Sequence, residues 1–148
     1  MRVLFCGGRR DQRARLARWS FRVLMQKNLL GPADELIGIQ GCADCWDTYA
    51  RNWLISVGCS VEKGTLLDFP ISVADWDRYK KGAGPVRNRR MLLIGKPDLV
   101  VAGPGGTGTA DMIQQSRAAD VEVINLPTED WWRAGEARYA ALHGTVGF

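Results

Sequence analysis

The chain has 148 residues, 46% of them hydrophobic, which is enough for one compact domain with a real core. Twenty Lys and Arg against 16 Asp and Glu leave a net charge of +4, a mild basic balance that favours anionic ligands without demanding nucleic acid. No apolar run is long enough to span a bilayer and no signal-peptide pattern precedes the first strand, so the expectation is a cytoplasmic protein without a membrane partner, its four cysteines kept as reduced thiols.

Arg2–Cys6 is a short apolar run and reads as a first strand, closed by the turn Gly7-Gly8-Arg9-Arg10. Apolar positions Leu16, Trp19, Phe21, Val23, Leu24 and Leu30 predict a helix over 11–30, stopped by Gly31-Pro32. A second strand is predicted over 35–40, ending at Gly41. A helix over 44–57 follows, with Trp46, Tyr49, Trp53 and Leu54 on one side. Gly58 ends it, and a third strand falls within 60–67. Residues 68–84 show no clear period and read as a long loop, a feature that often carries function in compact domains. Asp75 and Trp76 there brace the loop, or Trp76 stacks on a base. Gly84-Pro85 opens a helix running to about residue 94.

The most informative stretch comes next. A fourth strand over 98–102 runs into Gly103-Pro104-Gly105-Gly106-Thr107-Gly108-Thr109, and a helix over 110–119 follows. Such a strand–loop–helix unit builds an anion site, because glycine backbone approaches a ligand closely and the helix N-terminus adds partial positive charge. The hydroxyls of Thr107 and Thr109 add donors for phosphate oxygens. The loop is neither a Walker A motif nor a G-x-G-x-x-G fingerprint. A fifth strand is expected over 121–126. Trp131-Trp132 and a helix over 134–142 close the chain, and this tryptophan-rich tail reads as a self-association surface for a homo-oligomer such as a dimer.

Alternating strands and helices predict a single α/β domain over 1–148, with its core in 1–127 and a helical tail in 128–148. The expected fold is Rossmann-like and three-layered, with a mostly parallel five-stranded sheet in the order 3-2-1-4-5. Strands one and four are then neighbours whose connections leave to opposite sides, which is where open α/β sheets bind ligands. Gly7-Gly8 and the glycines at 105–108 follow those two strands and converge on one crevice. Arg9 and Arg87, each beside a glycine turn, are candidate phosphate ligands. Cys42-Ala43-Asp44-Cys45 is a C-x-x-C without a second matching pair, so buried or half-buried thiols are expected rather than zinc or redox chemistry. No metal or cofactor is expected. The sole histidine, His143, lies in the tail, which argues against Ser-His-Asp or Cys-His catalysis.

Taken together, Cys6-Gly7-Gly8-Arg9, Gly41-x-Ala43-x-x-x-Asp47-x-x-Ala50-x-x-Trp53, Ala74-Asp75-Trp76, Ala83-Gly84-Pro85-x-Arg87-Asn88-x-x-Met91, Pro97-Asp98-Leu99-Val100 and Pro104-Gly105-Gly106-x-Gly108-Thr109-Ala110-Asp111-Met112 resemble the YspA branch of the SLOG superfamily. Its relatives include YpsA, DprA and the LOG (lonely guy) phosphoribohydrolases, and the resemblance covers nearly all of 1–126. It implies a Rossmann-like domain binding a nucleotide or nucleotide-derived ligand through Gly7, Gly8, Arg9, Gly41, Arg87 and 104–109, with Asp47 and Asn88 on sugar or base. It also implies two alternatives. LOG enzymes hydrolyse the N-glycosidic bond of nucleoside 5'-monophosphates through P-G-G-x-G-T-x-x-E. Here Pro104 to Thr109 match, the Glu position holds Met112, and an acid stands one residue earlier at Asp111. Asp111 and Asp47 are therefore the candidate catalytic carboxylates, Asp111 also reading as a favourable acid in its helix's first turn. Asp44 stands where the branch has a basic residue, which implies a ligand of different charge or size. The other alternative is DprA-like binding of single-stranded DNA. It ranks behind a small molecule because no basic groove with interleaved aromatics is evident.

Overall fold

The computed structural model describes residues 1–9, 12–43 and 45–143. Asp11 as the first helix's start, Arg10 in the first turn, the Asp44 departure and residues 144–148 of the tail lie outside that set.

Five strands form one sheet: β1 (Arg2–Cys6), β2 (Ile37–Gln40), β3 (Leu66–Asp68), β4 (Leu99–Ala102) and β5 (Glu122–Asn125). Every pairing is parallel and the order is β3-β2-β1-β4-β5, as the alternation of elements predicts. β1 and β4 are apolar almost throughout because both of their faces are covered. Val3, Phe5, Leu99 and Val101 face one layer, and Leu4, Cys6, Val100 and Ala102 face the other.

The first layer contains α1 (Ala17–Gln26), α2 (Trp46–Ser56) and α6 (Asp130–His143), which contribute Phe21, Leu24, Trp46, Trp53, Leu54 and Trp132. The second contains α4 (Ala83–Arg90) and α5 (Thr107–Ala118), with Met91 and Met112 buried beneath them. The connection from β1 thus departs to one face and that from β4 to the other, which opens a crevice at their C-terminal ends, the place where open α/β sheets generally bind ligands. Among the described residues no helix is long and apolar enough to cross a membrane.

Some boundaries differ from expectation for local reasons. Residues 61–64 form a turn rather than strand, because Gly64 adopts φ +71° and its N–H bonds Val61 O at 3.0 Å, so β3 starts only at Leu66. Residues 68–84 are not one long loop. They hold α3 (Val73–Tyr79), capped by Ser72, whose hydroxyl accepts from Asp75 N at 3.0 Å. Asp75 also pairs with Arg90 at 2.7 Å and so braces α3 against α4, while Trp76 stays 52% exposed. The helix after β4 begins at Thr107, three residues before expectation, so 107–109 are its first turn and not loop. Asp111 consequently sits in the second turn, where the dipole argument for an acid no longer applies.

The tail packs within the chain through its tryptophans. Trp132 is buried and donates its indole N–H to Ser20 Oγ at 2.8 Å. Trp131 meets Trp19 edge-on at 5.6 Å, with Lys27 over its ring, and Gly135 lies where any Cβ would strike Trp19. These tryptophans fasten α6 to α1 within the chain.

Candidate functional site

The turns after β1 and β4 touch. Gly8 N–H donates to Pro104 O at 2.8 Å, and Gly103 N–H to Cys6 O at 2.8 Å. The Gly8 amide therefore joins the two turns and does not point free at a ligand. A Cβ on Gly105 would lie 2.8 Å from Thr109 Cβ and 2.9 Å from Gly8 N, so that glycine serves the same close approach. Gly7 and Gly103 serve the core: a Cβ on either would overlap the ring of Trp46, which is fully buried at the start of α2. Gly106 and Gly108 differ from these, because a Cβ on either would meet nothing within 4 Å.

Beyond these turns opens a cleft of about 390 Å3. Of the predicted residues, Gly7, Gly8, Arg9, Asp47, Arg87, Asn88, Gly106, Thr107, Gly108, Thr109 and Asp111 all line it. Pro104 and Gly105 do not, being spent on the junction between the turns. Gly41 lies beside it, in an adjoining hollow. The first amides of α5, at 107–109, have no carbonyl one turn earlier to bond and supply the donors an anion needs.

Asp47 is the most unusual group in the site. Its carboxylate is 4% exposed, and Oδ2 accepts from Gly41 N and Ala43 N at 3.2 Å each. Oδ1 is buried with no hydrogen-bond partner among the described residues. Burial raises its pKa from 3.8 to about 6, against the lowering effects of the Ala43 amide, the Arg87 guanidinium, the Gly41 amide and Arg9. A buried carboxylate oxygen without a partner costs free energy, and such groups concentrate at functional sites.

Arg87 is held by two acceptors: it donates through Nη1 to Gly41 O and through Nε to Asn88 Oδ1 at 3.2 Å. Burial lowers its pKa, Asp47 opposes that, and Arg9 adds to it. Asn88 is 3% exposed, and its amide nitrogen donates to Gly108 O at 3.2 Å and Asp111 Oδ2 at 2.9 Å. With its oxygen on Arg87 and its nitrogen on α5, Asn88 orients Arg87 and ties α4 to α5. This leaves it little capacity to read a sugar or base. Asp111 Oδ2 also accepts from Gln115 at 2.8 Å. Met112, at the position where the LOG motif has Glu, is fully buried against the sheet, whereas Asp111 faces the cleft.

Cys42 and Cys45 are free, with φ of +57° and +61°. Cys42 is exposed, contrary to expectation, because the turn after β2 carries it outward. Cys6 is buried at the floor of the cleft, where burial and the neighbouring Asp47 push its thiol pKa up and keep it unreactive. Sequence reasoning missed Lys81, Pro85 and Met91, which also line the cleft. The motif Gly84-Pro85 pointed close to all three. Gln115, which bonds Asp111, was missed because nothing local marks a polar residue on the third turn of a helix. No protein-family model, curated protein or solved structure matches the chain.

Proposed function

We propose that the chain is a nucleotide-binding protein of the SLOG type, serving as a sensor or sequestering module. The observation that carries this reading is the cleft itself. The bare N-terminus of α5, Arg9, Arg87 and Lys81 line it, together with a buried carboxylate that has an unsatisfied oxygen among the described residues. The cations and the helix N-terminus suit phosphate. Asp47 Oδ1 suits a hydroxyl or ring N–H donor, which a nucleoside supplies. The site is mixed in charge, so plain anion binding leaves Asp47 unexplained. The resemblance to SLOG proteins agrees with this division of roles.

The test is a thermal-shift panel of nucleoside mono- and diphosphates with inorganic phosphate as the control, since a ligand that binds only the folded state raises its stability. Stabilisation by nucleotides beyond that by phosphate supports the proposal. No response to any nucleotide at millimolar concentration ends it.

A second reading, hydrolysis of the N-glycosidic bond of a nucleoside 5'-monophosphate, is favoured by one observation: two carboxylates, Asp47 and Asp111, face the same cleft. One would stabilise the developing oxocarbenium ion and the other would activate water. Free base released on incubation, and lost in Asp111→Asn, supports it. Binding without release from any monophosphate leaves the sensor reading.

A further inference from the structure

The second layer leaves an apolar patch uncovered on its outer side. Eleven large apolar side chains are exposed among the described residues, and five of them, Val73, Trp76, Tyr79, Leu93 and Ile94, stand on α3 and on the π-helical turn Met91–Gly95 that continues α4. Apolar side chains scattered singly need no explanation, whereas such a concentration marks an interaction surface. The Asp75–Arg90 ion pair joins the two elements at 2.7 Å. Trp76 follows Asp75 directly, and Leu93 and Ile94 lie one turn beyond Arg90, so both sets flank the pair. The turn cannot fold its apolar residues away. Arg2 Nε donates to Gly95 O at 2.6 Å, and a Cβ on Gly95 would stand 3.1 Å from Ile39 Cδ1, which pins the other side of the turn to the sheet. Val73 is 78% exposed and Leu93 and Ile94 61% each, so these side chains project outward and do not line a groove. The charge of the same elements is one-sided. Arg78, Lys80, Arg89 and Lys96 are exposed, and none forms an ion pair among the described residues. The acids are fewer and mostly committed, Asp75 to Arg90 and Asp98 to the Arg2 amide at 2.8 Å, which leaves Asp77.

We infer that this face docks the protein on an anionic lipid surface, with Trp76, Leu93 and Ile94 entering the headgroup boundary and the four cations meeting lipid phosphate and carboxylate. A bilayer interface accepts projecting apolar side chains without a matching shape, and Trp and Tyr favour that boundary. Each cation near an anionic leaflet strengthens binding roughly fivefold. A second copy of the chain fits less well, because it would bring the same excess of cations against itself. Lying against a bilayer needs no spanning helix, and the described residues contain none. The inference is independent of nucleotide binding, since Trp76, Leu93 and Ile94 lie outside the cleft lining.

The experiment is co-sedimentation of the full chain with vesicles of phosphatidylcholine alone and of phosphatidylcholine mixed with phosphatidylserine. The expected result is partitioning at least about tenfold greater onto the anionic vesicles, falling as salt rises. Leu93→Ser/Ile94→Ser and Lys80→Glu/Arg89→Glu should each lower it by at least about fivefold. Arg15→Glu/Arg18→Glu makes the same change of net charge in the other layer, and should lower it by less than about twofold. All six positions are exposed, so the variants keep the fold, which circular dichroism checks. No gain on anionic vesicles overturns the inference, as does full binding by the serine variant. An equal loss from the Arg15 and Arg18 reversal overturns it too, by reducing the binding to net charge. So does a wild-type dimer, seen by light scattering, that the serine variant dissolves, because the face then belongs to a second copy.

Discussion

The glycines of the two turns divide into those that the core requires and those that the cleft requires, and mutation should separate them. In Gly103→Ala the new Cβ would stand 2.6 Å from Trp46 Cζ2 and closer still to two other ring atoms. In Gly7→Ala it would stand 2.6 Å from Trp46 Cβ and Cδ1. Trp46 is fully buried, flanked by both glycines and met edge-on by Phe21 at 5.7 Å, so its ring has no free direction in which to retreat. Restoring ordinary contact requires a shift of about 1 Å in a close-packed layer, which costs roughly 3 kcal/mol. For a domain of this size that lowers the melting temperature by roughly 6–12 °C. Gly108→Ala is the contrast. Its Cβ meets nothing within 4 Å and the position lies inside α5, so replacing glycine by a better helix former should raise stability by about 0.5–1 kcal/mol. The same methyl group intrudes on the cleft and should weaken nucleotide binding. Chemical denaturation with coincident fluorescence and circular-dichroism transitions measures the first quantity, and calorimetry the second. A Gly103→Ala protein as stable as wild type, or a Gly108→Ala protein destabilised to the same degree, would show that the assignment of these glycines is wrong.

Three further outcomes follow from the geometry. Asp47 has a folded-state pKa of about 6 against an ordinary 3.8, so the native state holds its proton more tightly and this group makes stability fall as pH rises from about 4 to 6. The full shift corresponds to about 3 kcal/mol, so Asp47→Asn should gain that much relative to wild type between pH 4 and 7, and a pH-independent difference refutes the burial argument. Arg87→Met removes the cation facing Asp47, so the Asp47 titration midpoint, followed by carbon NMR of its carboxyl, should move above about 6, and an unmoved midpoint would mean the two groups do not interact. Trp132→Phe deletes the buried bond to Ser20 and part of the contact between α6 and α1, costing about 2 kcal/mol in denaturation without changing the mass seen by light scattering, whereas a changed mass would support the self-association reading of the tail.

The sheet was legible in the sequence because each strand is announced locally. Arg2–Cys6 and the run at 98–102 are apolar stretches cut off by glycine, and alternation with helices admits only a parallel sheet of that handedness. The switch point followed from that order alone, and with it the convergence of the two glycine turns. Even α3 had its signal, since Ser72-Val73-Ala74-Asp75 matches the start of a capped helix. What each glycine and each polar residue does was not legible. Gly7 and Gly103 look like ligand-facing glycines until Trp46 is seen wedged against them, a contact joining three separate parts of the chain. Asn88 looks like a reader of sugar or base until its bonds to Arg87, Gly108 and Asp111 are in view. Asp47 is a site candidate in the sequence, but nothing local shows its burial or its orphaned oxygen. Local sequence sets backbone conformation and hydrophobic period, because both depend on near neighbours along the chain. Burial, pKa and hydrogen-bond satisfaction depend on what the fold brings across from distant positions, and only tertiary structure decides them.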